Sequence, residues 1–519
     1  MKKAIYLIIA LIGLSAPSCS DSMLDFSPTD SGSGKELLKS ASTAITSVNG
    51  VYRSMWTAGW STTANTHQCF GIAAYNLALD CMADDLIMQS QGNGWFWGDH
   101  CYNVKSNYTS SAFRSYDVWY ANYKWIANVN YIIDAEPEMA GTEADVAYVA
   151  GQAYAIRALC YLNLATWFSR APYNSLTGAS RWNEPCVPVY TTGTSIDTGG
   201  QPRESLRTVY GRIDQDIDHA IELLEKARET TLAENNKSHI NLYVALGIKS
   251  RACLAEGDWD GAFKAAKRVI DEGGYAVGTK SDLTGGMNSL DKQNVMWGAG
   301  IQVADQAGGY AGFFTHMDSK EGAYAKSAPK LISKQLYNRI SATDIRRDWW
   351  DPSDKESPYV SKKFSFANVA SFLGDYIYMR VEEMYFTAAE AALRLDDLKS
   401  ARELMNTVMA ERDPGYSANN RSGTLLGATT TTWTGSFLEN ILTHRRIELW
   451  GEYGRLFDVR RLGQGIDRRT DDGFSEECIS MMNRRNVNIT KADTYDWVLT
   501  IPKAELDANP NINEEDQNP

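Results

Sequence analysis

Apolar residues recur at helical spacing over most of the chain from about residue 41 onward. Val118 to Asp134 and Val146 to Phe168 are long periodic runs. In Leu206 to Arg228, Ile213, Ile217, Ile221 and Leu224 share one face with acidic residues opposite. Two stretches read as helix–turn–helix units. Leu242 to Leu254 is followed by the turn Glu256-Gly257-Asp258 and by Trp259 to Ile270; Val381 to Leu395 is followed by Asp396-Asp397 and by Leu398 to Met409. Small residues stand where paired helices must approach closely: Ala262 and Ala266 in one unit, Ala388, Ala389, Ala392 and Ala401 in the other. The pattern is similar to tetratricopeptide pairs of roughly 34 residues. The two units lie about 140 residues apart, which predicts an interrupted helical scaffold rather than a tandem array.

The interruption, roughly 275–375, is rich in Gly, Ser, Asp and aromatic residues and has only short periodic pieces, Val295 to Ile301 and Lys330 to Ile340. The predicted fold is therefore mostly α, with tetratricopeptide-like helix pairs as scaffold and a long loop-rich, aromatic-rich insertion. Its parts are a signal peptide at 1–18, a flexible polar tether at 19–40 and a single domain at 41–519. Within that domain the helical scaffold occupies 41–274 and 376–519.

The N-terminus sets the compartment. Lys2 and Lys3 precede the apolar run Ala4 to Leu14, eleven residues long and too short to span a bilayer. Ser15-Ala16-Pro17-Ser18-Cys19 resembles a bacterial lipoprotein signal, with Cys19 as the acylated residue; a soluble secreted protein cut beside Cys19 is the alternative. The chain carries 51 basic and 64 acidic residues, and loss of Lys2 and Lys3 leaves 49 − 64 = −15. Such a surface repels polyphosphate, which excludes nucleic acid as a partner. Seven other cysteines, an odd number without a CxxC pair, make neither a disulfide framework nor a zinc site. One bridge among Cys69, Cys81 and Cys101 is left open.

No motif singles out a nucleophile, a general base or a metal. Ser31-Gly32-Ser33-Gly34-Lys35 lacks the spacing and the preceding strand of a phosphate loop. His444 and Glu448 read as an ordinary helix pair, and Asp214, Asp216 and Asp218 as a solvated face. No cofactor is implied; a structural calcium ion is compatible with the sequence. One stretch does stand out: Gln91-Gly92-Asn93-Gly94-Trp95-Phe96-Trp97-Gly98-Asp99-His100. In an extended segment Trp95 and Trp97 point to one side, and indole faces beside Asn93 and Asp99 suit a sugar ring and its hydroxyls. The competing reading is an aromatic plug beneath a loop. Tyr310, Phe313 and Phe314, in another Gly-rich loop, form a second candidate, while Trp349, Trp350, Trp56 and Trp60 read as packing residues.

Several segments together resemble the SusD/RagB family of surface lipoproteins. They are Ala153 to Leu164 with Ala171-Pro172-Tyr173; Tyr378 to Tyr385 with Ala388-Ala389-Glu390-Ala391; Arg445-Arg446-Ile447-Glu448-Leu449 with Phe457-Asp458-Val459-Arg460-Arg461; and Ile501 to Leu506 with Gln517-Asn518-Pro519. Arg380, Arg445, Arg446, Glu448 and Arg460 are expected to make charge-assisted bonds between helices. The resemblance implies a non-enzymatic, lipid-anchored protein on the outer-membrane surface. It would capture oligosaccharide and deliver it to a SusC-like TonB-dependent transporter. An oligopeptide-binding RagB-like receptor and a surface glycoside hydrolase are the alternatives, and the motifs do not separate glycan from peptide.

Overall fold

The computed structural model describes residues 34–57, 66–103, 113–195, 197–233, 236–303, 311–492 and 494–519. Cys19, Trp60 and Tyr310 lie outside them. After one short helical turn, Gly34–Leu37, come α1 (Ala41–Ser54), α2 (Ile72–Met82) and the short strand β1 (Leu86–Met88). Then come α3 (Phe113–Ala135), α4 (Glu143–Phe168), α5 (Leu206–Lys226), α6 (Leu242–Glu256) and α7 (Trp259–Glu272), each packed on the next. The starts of α4 to α7 are fixed by Thr142, Ser205, Asn241 and Asp258, whose side chains accept backbone N–H groups that a first helical turn leaves open. Gly257 ends α6 at φ +77°, and a Cβ there would stand 2.4 Å from the Tyr173 ring. Only glycine makes that tight turn.

The excursion between α7 and the next long helix holds, beside short helical turns, β2 (Val295–Ala299), β3 (Lys330–Ile332), β4 (Trp350–Asp351) and β5 (Val360–Ser361), and it returns through β6 (Tyr376–Arg380). β1, β3, β5 and β4 form one antiparallel sheet in that order, and β2 pairs with β6, Val295 opposite Arg380. Arg380 leads directly into α8 (Val381–Arg394), which turns into α9 (Leu398–Ala410). Both predicted helix pairs are thus present, and the gap between them closes in space, because α7 packs on α8. Ala262 of α7 and Ala391 of α8 share an apolar cluster with Cys253 and Leu254. The helical row runs on across the excursion as if it were not there.

α10 (Phe437–Glu448) packs on α8, and α11 (Arg455–Leu462) on α2 and α6. Where these meet, a buried ionic cluster ties the scaffold together. Glu448 accepts from Arg346 (3.1 Å), Arg380 (3.0 Å) and Arg412 (2.9 Å). Asp344, Glu382, Glu452 and Lys363 complete it, giving four cations against four carboxylates. Charges this deep are tolerated because each has a bonded counter-charge. Arg445 pairs with Asp458 at 2.8 Å, and Arg446 with Asp84 and Asp85. Arg460 instead donates to the carbonyls of Thr166 and Ser169 at the end of α4.

One expectation about the acidic positions needs correction. Asp216 is not on a solvated face; it is buried and holds Arg157 at 2.7 Å, so α5 uses it to bind α4. His444 is buried too, its Nδ1 accepting from Arg346 at 2.9 Å. Cys69, Cys81 and Cys101 lie in the core as buried thiols. No helix among the described residues is long and apolar enough to cross a membrane.

Candidate functional site

β1 delivers the aromatic loop. Gln91 to Gly94 is a tight turn in which the Gly94 N–H donates to the Gln91 carbonyl at 2.8 Å, with Gly92 at φ +51°. A Cβ on Gly92 would meet the Ser327 carbonyl oxygen at 2.6 Å, so the loop lies hard against the chain leading into β3. Phe96 then adopts the left-handed region at φ +61°, its N–H donating to Gln68 Oε1 at 2.7 Å. Its ring is fully buried against Phe70 and His316. A short helix, Trp97–His100, follows at once.

That reversal at Phe96 separates the two indoles the extended reading put together. Trp95 stays half-buried at the surface, while Trp97 is 4% exposed and packs beside His100. Asp99 is 1% exposed and accepts from Nε and Nη2 of Arg114, at 2.8 and 2.9 Å. Trp97 and Asp99 are therefore packing residues in this arrangement. Phe313 is also interior, edge-to-face with Phe314 and Phe364. Asn93 is exposed on the turn beside Trp95.

Around Trp95 the structure assembles partners that the sequence did not single out. The His67 ring lies parallel to the indole, with centroids 4.9 Å apart and planes 5° from coplanar. Tyr324 meets the indole edge-on at 6.1 Å, and its hydroxyl is hydrogen-bonded to His67 Nδ1. Behind them His316 donates from Nε2 to the His67 carbonyl at 2.6 Å. Burial holds His316 well below the usual imidazole range, so it is a neutral prop. The result is a stack with fixed ring planes: one indole face on His67, one edge on Tyr324, and a turn carrying Asn93 alongside. Among the described residues no three His, Cys, Asp or Glu side chains converge as a metal site. His67 and Tyr324 come from distant segments, and neither stands in a distinctive local pattern.

Comparison with known proteins follows the same lines. A family model described as the SusD family matches residues 335–519, and one described as starch-binding associating with outer membrane matches residues 43–254. A search of curated proteins gave no match. Among solved structures, a SusD-like carbohydrate binding protein from Bacteroides vulgatus is 25% identical, with a TM-score of 0.72 over 92% of this chain and 98% of its own. A SusD superfamily protein from Bacteroides thetaiotaomicron is 22% identical, with a TM-score of 0.72 over 92% and 100%. Surface glycan-binding protein A from Bacteroides thetaiotaomicron, in complex with laminarihexaose, is 16% identical, with a TM-score of 0.62 over 92% and 99%. Family models at both ends of the scaffold, and a likeness in fold that spans nearly the whole chain, agree with the motifs: the chain belongs to the SusD/RagB family.

Proposed function

We propose that the protein is a cell-surface glycan receptor, acylated at Cys19, that holds an oligosaccharide and passes it to a SusC-like TonB-dependent transporter in the outer membrane without cleaving it. The observation that carries this reading is the fixed aromatic stack of Trp95, His67 and Tyr324 beside an exposed Asn93. A pyranose ring lays its C–H face on an indole, and amide and hydroxyl groups take its hydroxyls. The outer-membrane starch-binding family model and the laminarihexaose complex of a relative support a glycan as the ligand class. Few contacts of this kind give Kd values in the micromolar to millimolar range, about −8 to −4 kcal/mol. Weak binding suits a ligand that must be handed on.

The test is calorimetry against glycan and oligopeptide panels. Trp95→Ala is expected to raise Kd for the bound glycan about ten-fold or more, ~1.4 kcal/mol. Unchanged affinity would remove Trp95 from the site. Binding confined to peptides would transfer the stack to the peptide-receptor reading, and steady sugar release by the pure protein would overturn the receptor reading outright.

A further inference from the structure

A second aromatic recess lies on a different set of elements. Its cavity of about 490 Å³ is within the size range of small-molecule sites. Trp119, Tyr120 and Tyr123 of α3 and Tyr190 of the segment before α5 supply its rings, and it shares no residue with the Trp95 stack. Another hollow of similar size, about 430 Å³ beside Ile479 and Asn483, has no aromatic ring in its lining. Three smaller hollows among the described residues, of about 10 to 20 Å³, are too small for any ligand larger than water.

The rings are held by their edges. Tyr123 donates its hydroxyl to the Pro188 carbonyl at 2.7 Å, and the Tyr190 hydroxyl accepts from the Gln201 N–H at 3.0 Å. Tyr123 and Tyr190 meet at 89° with centroids 5.9 Å apart, and Trp119 is wedged edge-on against Phe168 at 4.9 Å. The Trp119 indole donates to Glu505 Oε2 at 3.2 Å, and Asn509 donates to Glu505 Oε1 at 2.8 Å, so the carboxylate at the cavity wall is fixed as well. Rings anchored at their polar ends cost little further ordering when a ligand arrives.

The chemistry of the lining selects the ligand. Lys124 and Glu505 are the charged residues of the wall and cancel formally, which favours a neutral molecule. Ser195 and Thr198 add hydroxyls to the lining. Apolar ring faces, hydroxyls and one fixed carboxylate together match a neutral pyranose, whose faces are C–H and whose rim is hydroxyl. We infer that this cavity is a second saccharide-binding site, separate from the Trp95 stack and taking neutral sugar units. The inference rests on the reading of the protein as a glycan receptor.

Titration of gluco-, manno- and xylo-hexaoses into four proteins tests it: the wild type, Trp95→Ala, Ala127→Trp and the double variant. Ala127 is half-buried and lines the cavity, so an indole there fills it. Tyr120→Ala replaces that variant if Ala127→Trp lowers the melting temperature. The expected result is that the wild type binds one of these glycans at two sites, that Trp95→Ala and Ala127→Trp each remove one, and that the double variant binds none. If Trp95→Ala alone abolishes all binding, the second site is refuted and the Trp95 reading stands. If Trp95→Ala changes nothing while Ala127→Trp abolishes binding, the second site stands and the Trp95 reading falls. If the wild type binds no hexaose, or neither variant alters binding, both fall.

Discussion

Glu448 has a demanding position at the centre of the ionic cluster. It is fully buried and takes three guanidinium groups from three separate segments. Coulombic attraction from Arg412 and Arg380 outweighs the cost of burial and holds its carboxyl well below the usual range. The sign of the pH dependence follows. A depressed carboxylate gives stability that is fully present above its unfolded value, about 4.5, and is lost as the pH falls through the folded value. Glu448→Gln keeps the shape and removes the charge, leaving four buried cations against three carboxylates. The expected loss is about 3–5 kcal/mol at neutral pH, read from denaturant midpoints. The gap between wild type and variant should narrow on acidification below about pH 4; a constant gap would show that the charge is not what matters.

At the scale of elements, much was legible. Gly257 and Asp258 mark the α6–α7 turn in the sequence and in the structure, and Asp397 caps α9 as its place after Leu395 suggests. Amphipathic period, a cap and a breaker are local signals, and local signals survive in a linear string. Gly257→Ala is expected to destabilise the protein by about 1–3 kcal/mol, because it combines a left-handed residue with a Cβ driven into Tyr173. Thermal melting checks it, and a loss below about 0.5 kcal/mol would mean that Tyr173 yields freely.

The loop from Gln91 to His100 was legible in composition but not in direction. A strand-like alternation put Trp95 and Trp97 side by side, whereas one left-handed residue, Phe96, sends Trp97 inward. Nothing in the string announces φ +61° at a phenylalanine; the Gln68 side chain and the pocket lined by Phe70 and His316 impose it. His67 and Tyr324 were missed for the same reason, since long-range packing alone brings them to Trp95. The fold was carried by periodicity, and the site by tertiary contacts.

On the scale of the whole molecule, the C-terminal segment is bound back onto the middle of the scaffold. Leu499 donates its N–H to Trp167 at 2.9 Å, and the Asn518 side chain reaches the Phe168 carbonyl at 2.8 Å. The other end is where the proposed anchor lies. Cys19→Ser is expected to move the protein from the membrane fraction to the soluble fraction of lysed cells, with glycan affinity of the purified protein unchanged. Retention of the variant in the membrane fraction would count against acylation at that residue.

The packing of α7 on α8 also bears on how the protein is made. Arg251 on α6 finds its carboxylate in Glu383 on α8, at 2.7 Å, and the small-residue flank of α7 is covered by the same helix. A chain synthesised from its N-terminus delivers α6 and α7 well before α8 arrives, with the whole excursion in between. During that interval a buried-to-be cation has no counter-ion and an apolar flank has no cover, the state in which nascent proteins stick to one another. Completion of the helical row is therefore timed by the arrival of the last third of the polypeptide, and until then the first two-thirds is the part of the chain most open to self-association.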